Sequence, residues 1–254
     1  MLKEIVIAFQ SYAKAHRFIK KYRLWKWIVV PGVLYMLMFA ISMYFFSNTA
    51  TSAVEYLIST TGLRGWVEKV NSGIVSFLFI FLFGMLWLLL MLFYFSLFKY
   101  LWLIIGSPLF SYLSEKTESI MDGKDFPFSM AQLIKDIARG IRMALRNALW
   151  QTVYTVAIIL LSFIPIIGWA APVLSLFIEC YYYGFSMLDY SCERHKMGAA
   201  QSISFIGGHK GLAIGNGFVF YLMHLVPIIG WIFAPSYAVI AATISLYHQK
   251  EKFV

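Results

Sequence analysis

Two nearly identical turns divide the C-terminal half of the chain into apolar arms. Ile-Pro-Ile-Ile-Gly-Trp at 164–169 recurs as Val-Pro-Ile-Ile-Gly-Trp at 226–231, and Ala-Pro follows soon after each copy. Proline lacks the N–H that a continuing helix needs, and glycine tolerates positive φ, so each turn ends one helix and reverses the chain. The repeat predicts two helical hairpins, at 148–188 and 211–248. Their arms of about 16–19 residues span roughly 24–28 Å, slightly less than a hydrocarbon core of about 30 Å. Each hairpin is therefore either re-entrant or a pair of transmembrane helices with a tight turn.

The N-terminal half of the chain predicts an amphipathic helix followed by two long transmembrane helices. Residues 1–26 repeat apolar side chains at helical spacing among lysines and arginines, which is typical of a helix on the cytoplasmic leaflet. Uninterrupted apolar runs predict transmembrane helices at 27–46 and 74–105. The polar segment 47–73 is predicted to be a loop between them, and Gly-Ser-Pro at 106–108 is predicted to end the second helix.

A second amphipathic helix is predicted at 129–149, directly before the first hairpin. Its basic residues follow one another at spacings of four, three and four, so they share one helical face. This face either contacts anionic lipid or forms a vestibule that guides anions. The four residues are Lys135, Arg139, Arg142 and Arg146.

Composition places these helices in a membrane as a single membrane domain, 1–254. The chain is 61% hydrophobic and 13% charged, which is more apolar surface than a core of this length hides from water. Its net charge of +9 does not indicate a nucleic-acid partner, because the basic residues flank the apolar runs. Since 47–73 carries few of them, we expect that segment outside. Both termini, 106–147 and 189–210 are then expected in the cytoplasm.

Several polar groups inside the apolar arms are candidates for anion transport. A helix that begins within the membrane directs unpaired N–H groups, equivalent to about half a positive charge, toward its turn. Gly168 and Gly230 therefore mark candidate anion-binding turns. Ionisable side chains inside a membrane are costly, so Glu179 is a candidate for proton coupling or, alternatively, a partner for Lys99 or a tyrosine. His224 is a candidate coupling residue or a neutral hydrogen-bonding one.

A polar stripe on the first arm has two interpretations. Asn147, Gln151 and Thr155 recur every four residues and therefore lie on one helical face. They line a pathway or make hydrogen bonds between helices.

Sequence motifs of common enzymes and metal sites are absent. The sequence has no Walker A run, no His-Glu-x-x-His and no Gly-x-Ser-x-Gly, so we expect neither ATP coupling nor hydrolysis. Cys180 and Cys192 lack the spacing of a metal or redox pair, and we expect no cofactor. The glycines at 207–217 are expected to form a flexible junction before the second hairpin.

The order of these motifs resembles the CysZ-type sulfate permeases, whose wider domain family includes the etoposide-induced endoplasmic-reticulum proteins. The resemblance covers nearly the whole chain. It rests on Ser107-Pro108, Glu115, Glu118, Gly123, Phe163-Ile164-Pro165 through Gly168, Ala171-Pro172-Val173-Leu174, Asp189-Tyr190, His195-Lys196, Pro235 and Ala242-Thr243.

This resemblance implies an all-α integral membrane protein. It implies two long transmembrane helices, two pairs of partly penetrating helices and assembly into homo-oligomers, dimers or larger. It further implies a multi-pass protein of the bacterial inner membrane that takes up sulfate for cysteine synthesis. The expected function is a permease or channel for sulfate or a related oxyanion, not driven by ATP. The alternative is a non-transporting membrane scaffold or regulatory protein of the same domain family.

The chain departs from the resemblance at two positions. Sulfate permeases of this type tend to carry Gly-x-Arg-Arg just before the first transmembrane helix, where this chain has Arg-Leu-Trp-Lys at 23–26. Lys26 keeps a basic group in register, and Arg23 lies about one helical turn earlier on the same predicted face. Both are candidate anion-binding residues. The family's Phe-Asn-Gly after the proline of the second helix is Leu-Phe-Ser here, at 109–111.

Overall fold

A computed structural model describes residues 1–62, 65, 73–124, 130–162, 170–195 and 197–247. Within these ranges the chain is helical and contains no strand, which confirms the predicted all-α fold class. The predicted turn at 164–169 lies outside the described residues. The helices are α1 (Leu2–Tyr22), α2 (Trp25–Thr61), α3 (Gly73–Asp122), α4 (Met130–Ser162), α5 (Ala171–Arg194), α6 (Ala199–Gly208), α7 (Lys210–His224) and α8 (Ile229–Tyr247).

The chain divides into two compact units. Unit 1 comprises Met1–Met36 and Tyr100–Val254, and unit 2 comprises Leu37–Lys99. Within unit 2, α2 and α3 pair through aromatic side chains. The rings of Phe46 and Tyr94 stack with centroids 3.9 Å apart, and the Tyr94 hydroxyl donates a hydrogen bond of 2.8 Å to the Ser42 carbonyl.

The two long helices extend well beyond the apolar runs that predict them. α2 continues for 37 residues, through Thr61 and so into the segment predicted as a loop, and α3 has 50 residues. α2 is long and apolar enough to cross a membrane, as is α8 among the described residues. The outward side chains Val30, Leu34 and Ile41 of α2 are all more than half exposed, which suits contact with lipid.

Pro108 lies inside α3 and does not end it, so the predicted break at 106–108 is wrong. Proline has no N–H, which leaves the carbonyl of Ile104, four residues earlier, without its helical donor. The Ser107 hydroxyl donates a 2.9 Å hydrogen bond to that carbonyl. A neighbouring serine thus satisfies the freed acceptor, as in proline-containing transmembrane helices generally, and the helix continues.

The second hairpin forms the centre of unit 1. Every residue of α8 from Ala234 to Leu246 is buried, and 72% of its most apolar stretch is covered by protein, against 28% for α2. A helix that is buried on all sides must be apolar all round. α1, α5 and α7 pack around it. The face of α1 that carries Ala8, Tyr12, Ala15 and Ile19 packs against the second hairpin, whereas Leu2 and Val6 are exposed.

Of the glycines predicted to form a flexible junction at 207–217, Gly211, Gly215 and Gly217 form close contacts with other parts of the chain instead. Positions 210–224 are the helix α7, and α5 and α7 form the most extensive contact among the described helix pairs. An added Cβ at Gly217 would overlap the Cys180 carbonyl, and one at Gly184 would overlap the Ala213 carbonyl. The absence of side chains at these positions lets the two helix backbones approach closely.

The turn of the second hairpin is apolar and exposed. α7 and α8 have 15 and 19 residues, or about 22 and 28 Å. Ile228 adopts a φ of 64° at the reversal. The side chains of Leu225, Ile228 and Ile229 are 76%, 58% and 62% exposed, which favours an apolar environment for the turn.

We expect Gly217→Ala to destabilise the protein by about 1–3 kcal/mol, because its methyl group overlaps the α5 backbone and separates the two helices. Thermal unfolding of the detergent-solubilised protein measures the effect. Gly207→Ala is the matched control, since an added Cβ there meets no atom within 4 Å. A Gly217→Ala protein as stable as Gly207→Ala would contradict the close contact.

Candidate functional site

Polar side chains occupy the interface between α4 and α5, the two arms of the first hairpin. Hydrogen bonds join residue 139 to 189, 147 to 186 and 151 to 179. The residue number increases along α4 while that of its partner on α5 decreases, so the two helices are antiparallel. We call this set the α4–α5 polar seam. It consists of Arg139, Asn147 and Gln151 from α4 and of Glu179, Ser186 and Asp189 from α5.

The inner part of the seam surrounds Glu179. Its Oε2 accepts a hydrogen bond of 2.7 Å from the Tyr221 hydroxyl of α7, and its Oε1 accepts one from Nε2 of Gln151. The Tyr100 hydroxyl of α3 donates to Oε1 of Gln151 at 2.5 Å. Tyr221 and Gln151 thus donate to the carboxyl group of Glu179, and Tyr100 donates to Gln151 in turn. Four helices therefore meet at one acidic side chain, and the tyrosine partner considered in the sequence analysis is Tyr221.

The middle of the seam is formed by Asn147. Its side chain is completely buried, and Nδ2 donates to the Ser186 hydroxyl at 3.2 Å. Its Oδ1 accepts a hydrogen bond of 2.9 Å from Nη1 of Arg146. Buried amides need such partners because an unpaired polar group in an apolar interior is costly. The described contacts of Asn147 and Gln151 are thus hydrogen bonds between helices or within α4.

The outer end of the seam is a charged cluster around Arg139. Its Nη2 donates to Asp189 Oδ1 at 2.9 Å and to the Ser202 hydroxyl at 2.6 Å, and Nη1 donates to the Met197 carbonyl. Nε lies 3.9 Å from Glu193 Oε1. Burial raises the pKa of the Asp189 carboxyl, while the charge of Arg139 opposes that shift. Arg139 therefore joins α4 to α5, to α6 and to the segment that leads into α6.

A small cleft opens beside the seam, between α3, α4 and α5. Its polar lining comes from Ser186, Asp189 and Tyr190, and the Tyr190 hydroxyl donates at 3.2 Å to the Leu103 carbonyl. The remaining lining residues are Leu103, Gly140, Met143 and Ala144.

The basic face predicted on 129–149 divides into three environments. Arg139 is engaged with acidic residues, whereas Lys135 and Arg142 are exposed. Arg146 is half-buried, with its guanidinium carbon 5.5 Å from the centre of the Phe185 ring. The four residues share a helical face in sequence, but α5 covers only part of it.

Three of the four candidate anion-binding residues are described by the structure, and these lie apart from the seam. Lys26 is exposed near the start of α2. Arg23 is also exposed, but it adopts a left-handed conformation with φ 53° and ends α1, so the helical register assumed between these two residues is interrupted. The N–H of Gly230 donates to the Val226 carbonyl at 2.9 Å. Gly168 falls outside the described residues.

Two of the five candidate pathway or coupling residues, Thr155 and His224, do not take part in the hydrogen bonds of the α4–α5 polar seam. Thr155 is half-buried on α4 and makes no side-chain hydrogen bond to the residues that the structure describes. His224 is buried at the end of α7 among aromatic rings, with its ring stacked on Phe220 at 5.3 Å and near Tyr35 at 5.8 Å. The structure thus brings together Asn147, Gln151 and Glu179 and leaves His224 elsewhere.

The sequence analysis did not predict which residues pair across the seam, although the sequence contains an indication for one pair. Arg139 and Asp189 are equidistant in sequence from position 164, in the predicted hairpin turn. Antiparallel arms that reverse at this position bring the two residues opposite each other. Tyr100 and Tyr221 come from other helices, and no local pattern indicates that they reach this interface.

We expect Gln151→Leu to lower the stability of the solubilised protein by about 1–3 kcal/mol, because it removes the hydrogen bonds that Gln151 makes with Tyr100 and Glu179. Thr155→Val, one turn further along the same helix, is the control and is expected to change stability by less than about 0.5 kcal/mol. Thermal unfolding compares the two. Equal effects would show that the seam does not hold these helices together.

Comparison with known proteins gives matches over most of the chain. Residues 11–235 match the family described as sulfate transporter CysZ/etoposide-induced protein 2.4. A protein of Pseudomonas aeruginosa (strain LESB58) named sulfate transporter CysZ is 26% identical over 219 residues, which cover 85% of each chain. A protein of the same name from Pseudomonas fluorescens (strain Pf0-1) is 28% identical over 184 residues, or 70% of this chain and 73% of that one.

Proposed function

Because this chain belongs to the sulfate transporter CysZ/etoposide-induced protein 2.4 family, we propose that it carries sulfate or a related oxyanion across a bacterial inner membrane. The match confirms the family resemblance found in the sequence. The observation that carries the proposal is the alignment of a protein named sulfate transporter CysZ over 85% of both chains. The family match over residues 11–235 includes the two long helices, the first hairpin and the seam.

Transport of a sulfate-like dianion requires groups that replace part of its water. Cationic side chains and helix N-termini are the groups suited to this. We propose Lys26 and Arg23, at the exposed corner between α1 and α2, as residues that attract the anion. The turns at Gly168 and Gly230 are the proposed sites further inside, although the amide of Gly230 must exchange its bond to the Val226 carbonyl to take part.

The route is a permease or channel that needs no ATP, and Glu179 is the proposed coupling residue if protons move with the anion. Protonation of Glu179 would add an O–H donor to a carboxyl group that accepts hydrogen bonds from Tyr221 and Gln151, and would weaken it as their acceptor. This links a charge change to the packing of four helices. We further propose that the protein acts as a homo-oligomer and supplies sulfur assimilation.

The hairpins are proposed to enter the membrane without fully crossing it. The arms of the second hairpin are shorter than the hydrocarbon core, and its apolar turn is exposed. A turn in the hydrocarbon region leaves both ends of the hairpin on the same side of the membrane.

A non-transporting membrane scaffold is the second candidate. The observation that favours it is the satisfied state of the seam, where Asn147 and Gln151 are used in hydrogen bonds that hold the helices together. A static assembly needs such bonds, whereas a pathway must break or bypass them.

Uptake of labelled sulfate into proteoliposomes separates these functions. We expect the reconstituted protein to admit sulfate faster than protein-free liposomes do, without ATP, because a pathway lowers the cost of moving a dianion through hydrocarbon. Unlabelled sulfate in excess should compete with the label. Uptake equal to that of protein-free liposomes, from a protein that is folded and correctly inserted, would favour the scaffold.

Cysteine labelling tests the proposed topology, with the N-terminus in the cytoplasm. We expect an impermeant reagent added outside intact cells to modify Thr60→Cys but not Ala200→Cys, because basic residues flank the second position. Both positions are exposed, and the native Cys180 and Cys192 are buried at 1% and 0% exposure, so they give little background. Modification of Ala200→Cys alone would reverse the orientation.

A further inference from the structure

The three arginines of α4 differ in how their charges are neutralised. Arg139 is paired with Asp189 and lies near Glu193. Arg142 is exposed, so water or lipid headgroups solvate it. Arg146 is half-buried and has no acidic side chain within ion-pair distance among the described residues. It is therefore a partly desolvated cation without a carboxylate partner among these residues.

The donors of Arg146 are mostly unused. A guanidinium group carries five N–H donors in a planar fork. In the described structure the side chain donates one hydrogen bond, from Nη1 to Oδ1 of Asn147 at 2.9 Å, and its guanidinium carbon lies 5.5 Å from the centre of the Phe185 ring. The remaining donors lie beside an aromatic ring, which cannot accept them as an oxygen would. The arginine is therefore held in place and still has hydrogen bonds to give.

The α5 carboxyl that the charge of Arg146 influences already has another arginine as its partner. Asp189 accepts from Arg139 and is also close enough for the charge of Arg146 to lower its pKa. No direct ion pair between Arg146 and Asp189 is formed. Because Asp189 is held by Arg139, it is not the missing partner of Arg146.

The surroundings of Arg146 place it at the start of the apolar arm. Leu149 and Trp150, within one turn, are 70% and 48% exposed, as expected for side chains that contact lipid. Asn147 connects it to Ser186 in the seam, beside the cleft between α3, α4 and α5. An anion that reaches this point is next to the polar groups that continue inward to Gln151 and Glu179.

We propose that Arg146 binds a tetrahedral oxyanion of the sulfate or phosphate type through its free guanidinium donors. Guanidinium groups bind such anions with two parallel hydrogen bonds, which a lysine cannot reproduce. The oxyanion is either free sulfate or the phosphate of an anionic lipid. The sulfate form of this inference rests on the proposed function, and it identifies a residue at which the transported anion is held.

Sulfate titration of the purified, detergent-exchanged protein tests the site. We expect Arg146→Gln to weaken sulfate affinity by about 10- to 100-fold, the scale for losing hydrogen bonds to a charged group. Arg146→Lys is expected to fall between this variant and the parent, because it keeps the charge without the fork. Arg142→Gln is the matched control on the same helix and should stay within about twofold of the parent, as expected for an exposed charge.

Native mass spectrometry with added phosphatidylglycerol tests whether the site binds lipid phosphate instead. Loss of sulfate affinity in Arg146→Gln, but not in Arg142→Gln, assigns free sulfate to the site. Unchanged sulfate affinity with fewer bound phosphatidylglycerol molecules in Arg146→Gln assigns the lipid phosphate. Equal binding of both ligands by the two variants overturns the proposal.

The remaining outcomes separate this inference from the proposed function. If the parent binds no sulfate and shows no uptake, the proposed function fails, and the phosphatidylglycerol measurement alone decides the role of Arg146. If the parent transports sulfate and Arg146→Gln does so equally with unchanged lipid binding, only the inference fails. If thermal unfolding shows that Arg146→Gln does not fold, Arg146→Lys is used in its place. If Arg146→Lys then binds sulfate and phosphatidylglycerol as tightly as the parent does, bidentate recognition by Arg146 is overturned.

Discussion

An acidic side chain inside an apolar helix has to find its partners within the protein. Inserting such a group into a membrane costs about 2.5–3.5 kcal/mol. Glu179 meets this requirement with donors from α4 and α7, and Tyr100 of α3 supports the donor on α4. The positions of four helices are thereby tied to one carboxylate. Any movement that opens an anion pathway at the seam has to exchange these hydrogen bonds for others, so the same group that stabilises the fold limits how the protein can move.

The two sequence repeats have different roles because their neighbours differ. The second arm of the second hairpin, α8, is enclosed by α1, α5 and α7 and is buried along most of its length. The corresponding arm of the first hairpin, α5, exposes Val173, Leu174 and Phe177 near its start. The N-terminal helix contributes to this asymmetry, since it covers the second hairpin. A similar turn sequence therefore produces a core element in one copy and a partly exposed element in the other.

Basic residues serve three physical functions on one helix. Arg139 connects α4 to α5 through Asp189. Arg142 is exposed, as are basic residues that set the orientation of a protein in a membrane. Arg146 keeps unused hydrogen-bond donors at the start of an apolar arm. Burial and the availability of a carboxylate distinguish them, although their sequence surroundings are alike. For a protein proposed to carry oxyanions, the half-buried cation with unused donors is the chemically relevant one.

The sequence by itself determined the fold class, the second hairpin and the family, because apolar periodicity and Pro-x-x-Gly turns act locally. It also identified Glu179, Asn147 and Gln151 as unusual, since polar side chains within apolar arms are expensive wherever they lie. Only the tertiary structure decided what these residues contact. Ser107 repairs the helix at Pro108, and Gly217 meets a backbone about 37 positions away in sequence. Local rules assign proline and glycine to breaks and flexible junctions. Helix continuity and close packing depend instead on hydrogen bonds and steric contacts that the folded chain supplies.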